Sequence, residues 1–167
     1  MSDDGEATHL DLSHLDAAGA ARMVDVSGKD VTDRVAVATG VLRTTTAVVQ
    51  LISSGGLPKG DALATARIAG IMAAKQTSVL VPLCHPLPIS GVHLDLEPVD
   101  DVVRITATVR TTGRTGVEME ALTAVAVAGL TVHDMVKAVD PAAVLDAVRL
   151  ETKSGGRSGD WTRPAGR

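Results

Sequence analysis

Lysines, carboxylates and a Cys-His pair recur in this chain at spacings that suit proton transfer and anion binding. Lys59 lies in Pro58-Lys59-Gly60-Asp61, just ahead of an apolar stretch with helical character. A lysine there opposes the helix dipole, whose positive end attracts anions. With the first N–H groups of the helix it could hold a phosphate; a solvated surface lysine is the plain alternative. Cys84-His85 stands among Pro82, Pro86 and Pro88, which fix an extended loop. A rigid loop of this kind can aim His85 into a pocket as donor or acid, with Cys84 packed as a small hydrophobe. A metal reading lacks C-x-x-C or H-x-x-x-H and would need distant partners such as His93 or His133.

Glu118-Met119-Glu120 follows Gly116. Two carboxylates in a first helical turn are favourable for the dipole alone. They lie about 200° apart around a helix, so both face one pocket only if the helix starts between them. One of them could accept from the paired N–H donors of a guanine-like edge. Asp134 and Lys137 are i, i+3 neighbours among Leu130, Val132, Met135 and Val136. They form either a surface salt bridge worth about 0–1 kcal/mol or a partly buried pair able to move protons. The stretch Lys153 to Asp160 carries three glycines and two serines flanked by cations. Its backbone N–H groups could wrap a phosphate without the Walker spacing; a flexible tail is the alternative. The expectation is that Lys59, Lys137 and Lys153 meet an acidic partner in one water-poor hollow, within the chain or with neighbouring protomers considered. The rival reading leaves the charges on separate surfaces.

Elements that would position these groups follow from periodicity. Val35, Val37, Thr39 and Val41 alternate with Ala36, Ala38 and Gly40, a strand with one small-residue face. Thr44 to Ile52 reads as a helix closed by Gly55-Gly56, and Ala62 to Ala74 as a second, largely buried one. Val92 to Leu96 and Val103 to Val109 form a hairpin about Pro98–Asp101; Glu118 to Val139 is one long helix; Val148 to Thr152 is the last strand. The order β, α, α, β, β, α, β implies an α+β, ferredoxin-like fold, with a four-stranded antiparallel sheet and helices on one face. It reads as a single domain with its core at about 20–155, a flexible arm over 1–20 and a Gly-rich tail over 156–167.

Composition narrows the function. The 167 residues are 45% hydrophobic and 22% charged, as in a globular domain. No uncharged apolar run reaches the ~20 residues of a membrane span. The acidic start lacks a secretory signal, and the lone Cys84 cannot form an internal disulfide, so the reducing cytoplasm is the expected compartment. A net charge of −4, no Phe, no Tyr and one Trp argue against nucleic-acid binding, including an RNA-binding sheet. A core of Ala, Val, Leu and Ile leans toward subunit contacts for stability. A non-catalytic nucleotide sensor of the same fold would also explain an anion site.

Several motifs carry a resemblance: Met23-Val24-Asp25-Val26-Ser27, Ala66-Arg67-Ile68-Ala69-Gly70-Ile71, Leu83-Cys84-His85-Pro86-Leu87, Thr115 to Ala124, Asp134-Met135, Lys137-Ala138 and Lys153-Ser154-Gly155-Gly156. From about Ser13 to Asp160 the chain closely resembles the molybdenum cofactor biosynthesis protein C family, the cyclic pyranopterin monophosphate synthases. The resemblance implies conversion of 3′,8-cyclo-7,8-dihydroguanosine 5′-triphosphate, supplied by a radical GTP cyclase, to cyclic pyranopterin monophosphate and diphosphate. It implies a ferredoxin-like hexamer, a trimer of dimers, with the site at the dimer interface. Asp134, Lys137 and Lys59 fall on the family's catalytic positions. Leu83, Cys84, His85, Met119 and Glu120, with the adjacent Glu118, fall on its substrate-binding stretches; Lys153 matches a phosphate contact, and Lys29 and Arg34 further basic pocket residues. No cofactor or protein-held metal is called for, and Mg2+ is compatible with the triphosphate. His133, Val136 and Arg157 depart from the commoner Tyr, Cys and Lys without removing a proposed catalytic group.

Overall fold

The computed structural model describes residues 19–166; the expected N-terminal arm up to residue 18 lies outside them. The elements are β1 (Thr32–Arg43), α1 (Thr46–Ser54), α2 (Ala62–Lys75), α3 (Thr77–Leu80), β2 (Ile89–Val99), β3 (Val102–Gly113), α4 (Glu118–Val136), β4 (Val144–Ser154) and β5 (Trp161–Thr162). The sheet order is β2-β3-β1-β4-β5, antiparallel throughout. The long helices α2 and α4 pack against it and each other, giving the ferredoxin-like α+β arrangement.

The small face of β1 is the inner one. Ala36, Ala38 and Leu42 are fully buried, whereas Val35, Val37 and Thr39 on the other face are only half-buried. The reason is the approach of α4, which presents Ala121, Ala124, Val125 and Ala128. A Cβ on Gly40 would sit 2.6 Å from Cγ1 of Val125, so that glycine lets the helix rest on the sheet. Between α2 and α4, Gly70 plays the same part against the Ala124 carbonyl. Close packing of small side chains thus replaces the large residues the sequence lacks. α4 alone among the described helices has the length and apolarity of a membrane-crossing segment, yet half of it is buried inside the fold.

The sheet has five strands rather than the expected four. Trp161–Thr162, in the segment read as a tail, pairs with β4. Arg163 secures it by donating to the Leu150 carbonyl at 2.7 Å and lying 5.8 Å over the Trp161 ring. β4 starts earlier than its alternation suggests because Ala147 has φ 51° and a bulge interrupts the pairing with β1. The long helix stops at Val136, three residues short of the expected end. Thr45 and Asp61 cap α1 and α2 by accepting from Val48 and Ala64, and Gly55 at φ 70° closes α1.

Candidate active site

Antiparallel pairing gathers the functional stretches at two places. The start of β1 lies between the ends of its neighbours: Thr32 pairs with Gly113 of β3, and Ala36 with Lys153 of β4. The loop after β3 then enters α4. Lys29, Arg34, Lys153, Arg157 and Glu118 therefore border one hollow of about 660 Å³. An adjoining hollow of about 660 Å³ is walled by Leu83, Cys84, His85, Met119 and Glu120, and shares Lys29, Glu118 and Arg157 with the first. Nine of the twelve expected site residues thus meet around the N-terminus of α4.

Positioning is backbone-directed. Arg34 donates from Nε to the Gly113 carbonyl at 3.0 Å and from Nη2 to the Arg114 carbonyl at 3.2 Å. Arg114 in turn donates to the Lys29 carbonyl at 3.0 Å, tying down the turn that carries Lys29. Sequence alone does not single out Arg114, whose one signal is a cation inside the Gly113–Gly116 bracket. Gly155 and Gly156 adopt φ 87° and 78°, and a Cβ on either would strike the Asp33 carbonyl or the Arg34 guanidinium. Those two glycines press the cation-flanked loop onto β1. Lys153 donates to Ser158 Oγ at 3.1 Å and pairs with Glu118 at 3.3 Å.

Glu118 and Glu120 border the same hollow, contrary to the angular argument. α4 begins at Glu118, whose side chain folds back over Gly116, so ideal helical angles do not describe it. Glu120 is only 4% exposed, and its pKa is raised by burial and by the nearby Glu118. Burial, followed by the charge of Glu120, also raises that of the Cys84 thiol.

The second cluster sits at the far end of α4. Lys59 Nζ donates to Asp134 Oδ2 at 2.7 Å and to its carbonyl at 2.9 Å. Lys137 Nζ pairs with Asp134 Oδ1 at 2.7 Å. Hydrogen bonds from Lys137 and then Lys59 hold the Asp134 pKa down to about 2. The Asp134 and Lys137 side chains are 53% and 55% exposed, so of the two readings left open by their spacing the structure has the exposed pair rather than the partly buried one. The apolar neighbours Val132, Met135 and Val136 point into the core instead. Lys59, for which the sequence leaves both a phosphate-holding and a solvated surface reading open, donates to Asp134 instead.

One water-poor hollow holding all three lysines does not exist within the chain. Sixteen residues separate Glu118 from Asp134 along α4, which at ~1.5 Å each is about 24 Å. Lys153 is tied to the first residue of that helix and Lys137 follows its last. Among the described residues no group of three or more His, Cys, Asp and Glu side chains gathers as metal donors.

Residues 23–156 match the MoaC family. The chain is 70% identical over 152 residues to a cyclic pyranopterin monophosphate synthase of Streptomyces coelicolor, covering 91% of this chain and 89% of that one. It is 67% identical over 156 residues to one from Nocardioides sp., covering 92% and 96%. It is 63% identical over 153 residues to cyclic pyranopterin monophosphate synthase 2 of Mycobacterium tuberculosis, covering 92% of each.

Proposed function

The chain belongs to the MoaC family, and on that premise we propose how its two charged clusters carry out the synthesis of cyclic pyranopterin monophosphate for molybdenum cofactor biosynthesis. The substrate is 3′,8-cyclo-7,8-dihydroguanosine 5′-triphosphate, delivered by an upstream radical GTP cyclase. The reaction opens the guanine-derived ring system, recloses it as a pterin, and forms a cyclic phosphate as diphosphate departs. It is a phosphorus–oxygen lyase reaction without net redox change.

Lys153, Lys29 and Arg34 hold the triphosphate, with Arg114 fixing the turn beneath Lys29. Their charges also stabilise the departing diphosphate. Leu83, Cys84, His85, Met119 and Glu120 wall the adjoining hollow, which receives the base-derived rings. Proton transfer falls to the other cluster. Asp134, held ionised, does not carry a proton near neutrality; its two carboxylate oxygens orient the ammonium groups of Lys59 and Lys137. Those ammonium N–H groups are the acids available to the substrate. Mg2+ enters, where it is used, on the triphosphate as part of the substrate.

The two clusters lie too far apart on α4 to act on one molecule from the same chain, so a second copy supplies the missing one. Exposed Ile68 and Met72 on α2, Val79 and Leu80 on α3, and Leu130 on α4 offer apolar surface for that association. We read the assembly as a hexamer of three dimers working in the cytoplasm.

The observation that carries this reading is the double 2.7 Å engagement of Asp134 by lysines, one of them 75 residues away in sequence. The test is turnover with the cyclic guanosine triphosphate intermediate, measured as diphosphate release. Lys137→Ala should lower kcat about 10²–10⁴-fold with little change in KM. Lys153→Ala should chiefly raise KM. Near-normal turnover by Lys137→Ala rejects the acid–base role; no turnover by the unaltered protein rejects the reading as a whole, including in favour of a nucleotide sensor.

A further inference from the structure

Glu118 is an acidic side chain placed among cations that are read as phosphate-binding. Its carboxylate folds back over Gly116, where a Cβ would collide with it, and so lies along the loop bordering both hollows. There it meets Lys153 at 3.3 Å, with both side chains little more than one quarter exposed. Arg34 spends Nε and Nη2, and Arg114 its Nε, on backbone carbonyls. Among the described residues the ion pair bordering the hollow is the one between Lys153 and Glu118, and the same Lys153 ammonium also donates to Ser158 Oγ at 3.1 Å.

We propose that Glu118 is a built-in competitor for the phosphate chain, occupying Lys153 in the empty enzyme and setting which anions displace it. The proposal rests on the reading of this hollow as the triphosphate site. A carboxylate offers one negative charge to one cation. A triphosphate offers several, and its length lets it recruit Lys29, Arg34 and Arg157 together with Lys153. It therefore wins the exchange, and the displaced Glu118 carboxylate swings off Lys153 while remaining near the phosphates as a repelling charge. The product keeps a single cyclic phosphate diester with one negative charge. Once diphosphate has left, that charge no longer outweighs Glu118, and the pair with Lys153 re-forms. Glu118 in this way favours entry of the polyphosphate substrate and exit of the monophosphate product. It is a specificity-determining residue that weakens anion binding overall.

The test uses inorganic tripolyphosphate and inorganic diphosphate as probes in titration calorimetry at fixed, low salt. Four forms of the full chain are compared: unaltered, Glu118→Gln, Lys153→Ala and the double variant. The expected result is that Glu118→Gln binds tripolyphosphate about tenfold more tightly, with a gain at least as large for diphosphate, so that the preference for the longer chain narrows. In the Lys153→Ala background the gain should fall to twofold or less, a coupling that a merely structural role for Glu118 would not produce. Stronger diphosphate inhibition of turnover by Glu118→Gln is expected alongside. Unchanged or weaker binding by Glu118→Gln, with Lys153→Ala still weakening it, overturns the competitor role and leaves the phosphate hollow standing. Absence of binding by the unaltered protein overturns both.

Discussion

Replacing Gly70 by Ala sets two effects of opposite sign against each other. Alanine in a helix interior gains about 1 kcal/mol over glycine. At this position, however, the new methyl would lie 2.7 Å from Leu94 Cδ2, 2.8 Å from the Ala124 carbonyl oxygen and 3.3 Å from Ala128 Cβ. The leucine tip can rotate away. The carbonyl cannot, because it belongs to the backbone of α4, so relief requires α2 and α4 to part by several tenths of an ångström. Overpacking of this kind costs about 1–3 kcal/mol, and contact with backbone puts Gly70 toward the upper end. The net expectation is a loss of about 1–2 kcal/mol. For a chain of this size that lowers Tm by roughly 2–8 °C. Thermal unfolding followed by calorimetry at fixed protein concentration provides the assay. Gly91→Ala is the control, since its Cβ would meet nothing within 4 Å, and it should stay within about 0.5 kcal/mol of the parent. A Gly70→Ala protein as stable as the parent, or more so, would refute the claim that the closeness of the two helices is set by this glycine.

Glu120→Gln should stabilise the fold wherever Glu120 is ionised, because it removes a charge from a buried position. The folded-state pKa of Glu120 is raised, so the ionised form costs stability above that pKa and the cost disappears as pH falls toward the unfolded value. The advantage of Glu120→Gln should therefore shrink on acidification in a Tm series; an advantage independent of pH would contradict the burial argument. Gly156→Ala should impair tripolyphosphate binding more than stability, since its methyl would strike the Arg34 guanidinium. Unaltered calorimetric affinity in that variant would show that the loop does not depend on Arg34 for its seat.

Much of this architecture was legible from period and composition. The alternation around β1 and the small, apolar run of α4 mark both elements, and the lack of aromatics implies close contacts. What escaped has physical causes. Ala147 at positive φ breaks the alternation that would have revealed the first half of β4. β5 has two residues, too few for a period, and is held by an arginine returning to Leu150 and Trp161. The one-turn α3 adjoins a proline-rich loop whose signal dominates. In the site, Asp134 and Lys137 were neighbours by helical spacing, but no local pattern announces that Lys59 completes them, because tertiary packing alone brings it there. The reach of Glu118 to Lys153 depends likewise on where α4 starts relative to the end of β4.

The proposed function requires that the start of α4 in one chain and the end of α4 in another share each active site. Subunit mixing tests it most directly. Lys137→Ala and Lys153→Ala proteins, each inactive or nearly so at limiting substrate, are dissociated, combined in equal amounts and reassembled. If each site draws Lys137 from one copy and Lys153 from its neighbour, half of the dimers are mixed and each carries one intact site. Activity should then return to about one quarter of the unaltered protein. Mixed assemblies, verified by differently tagged chains, that recover no activity would contradict the account.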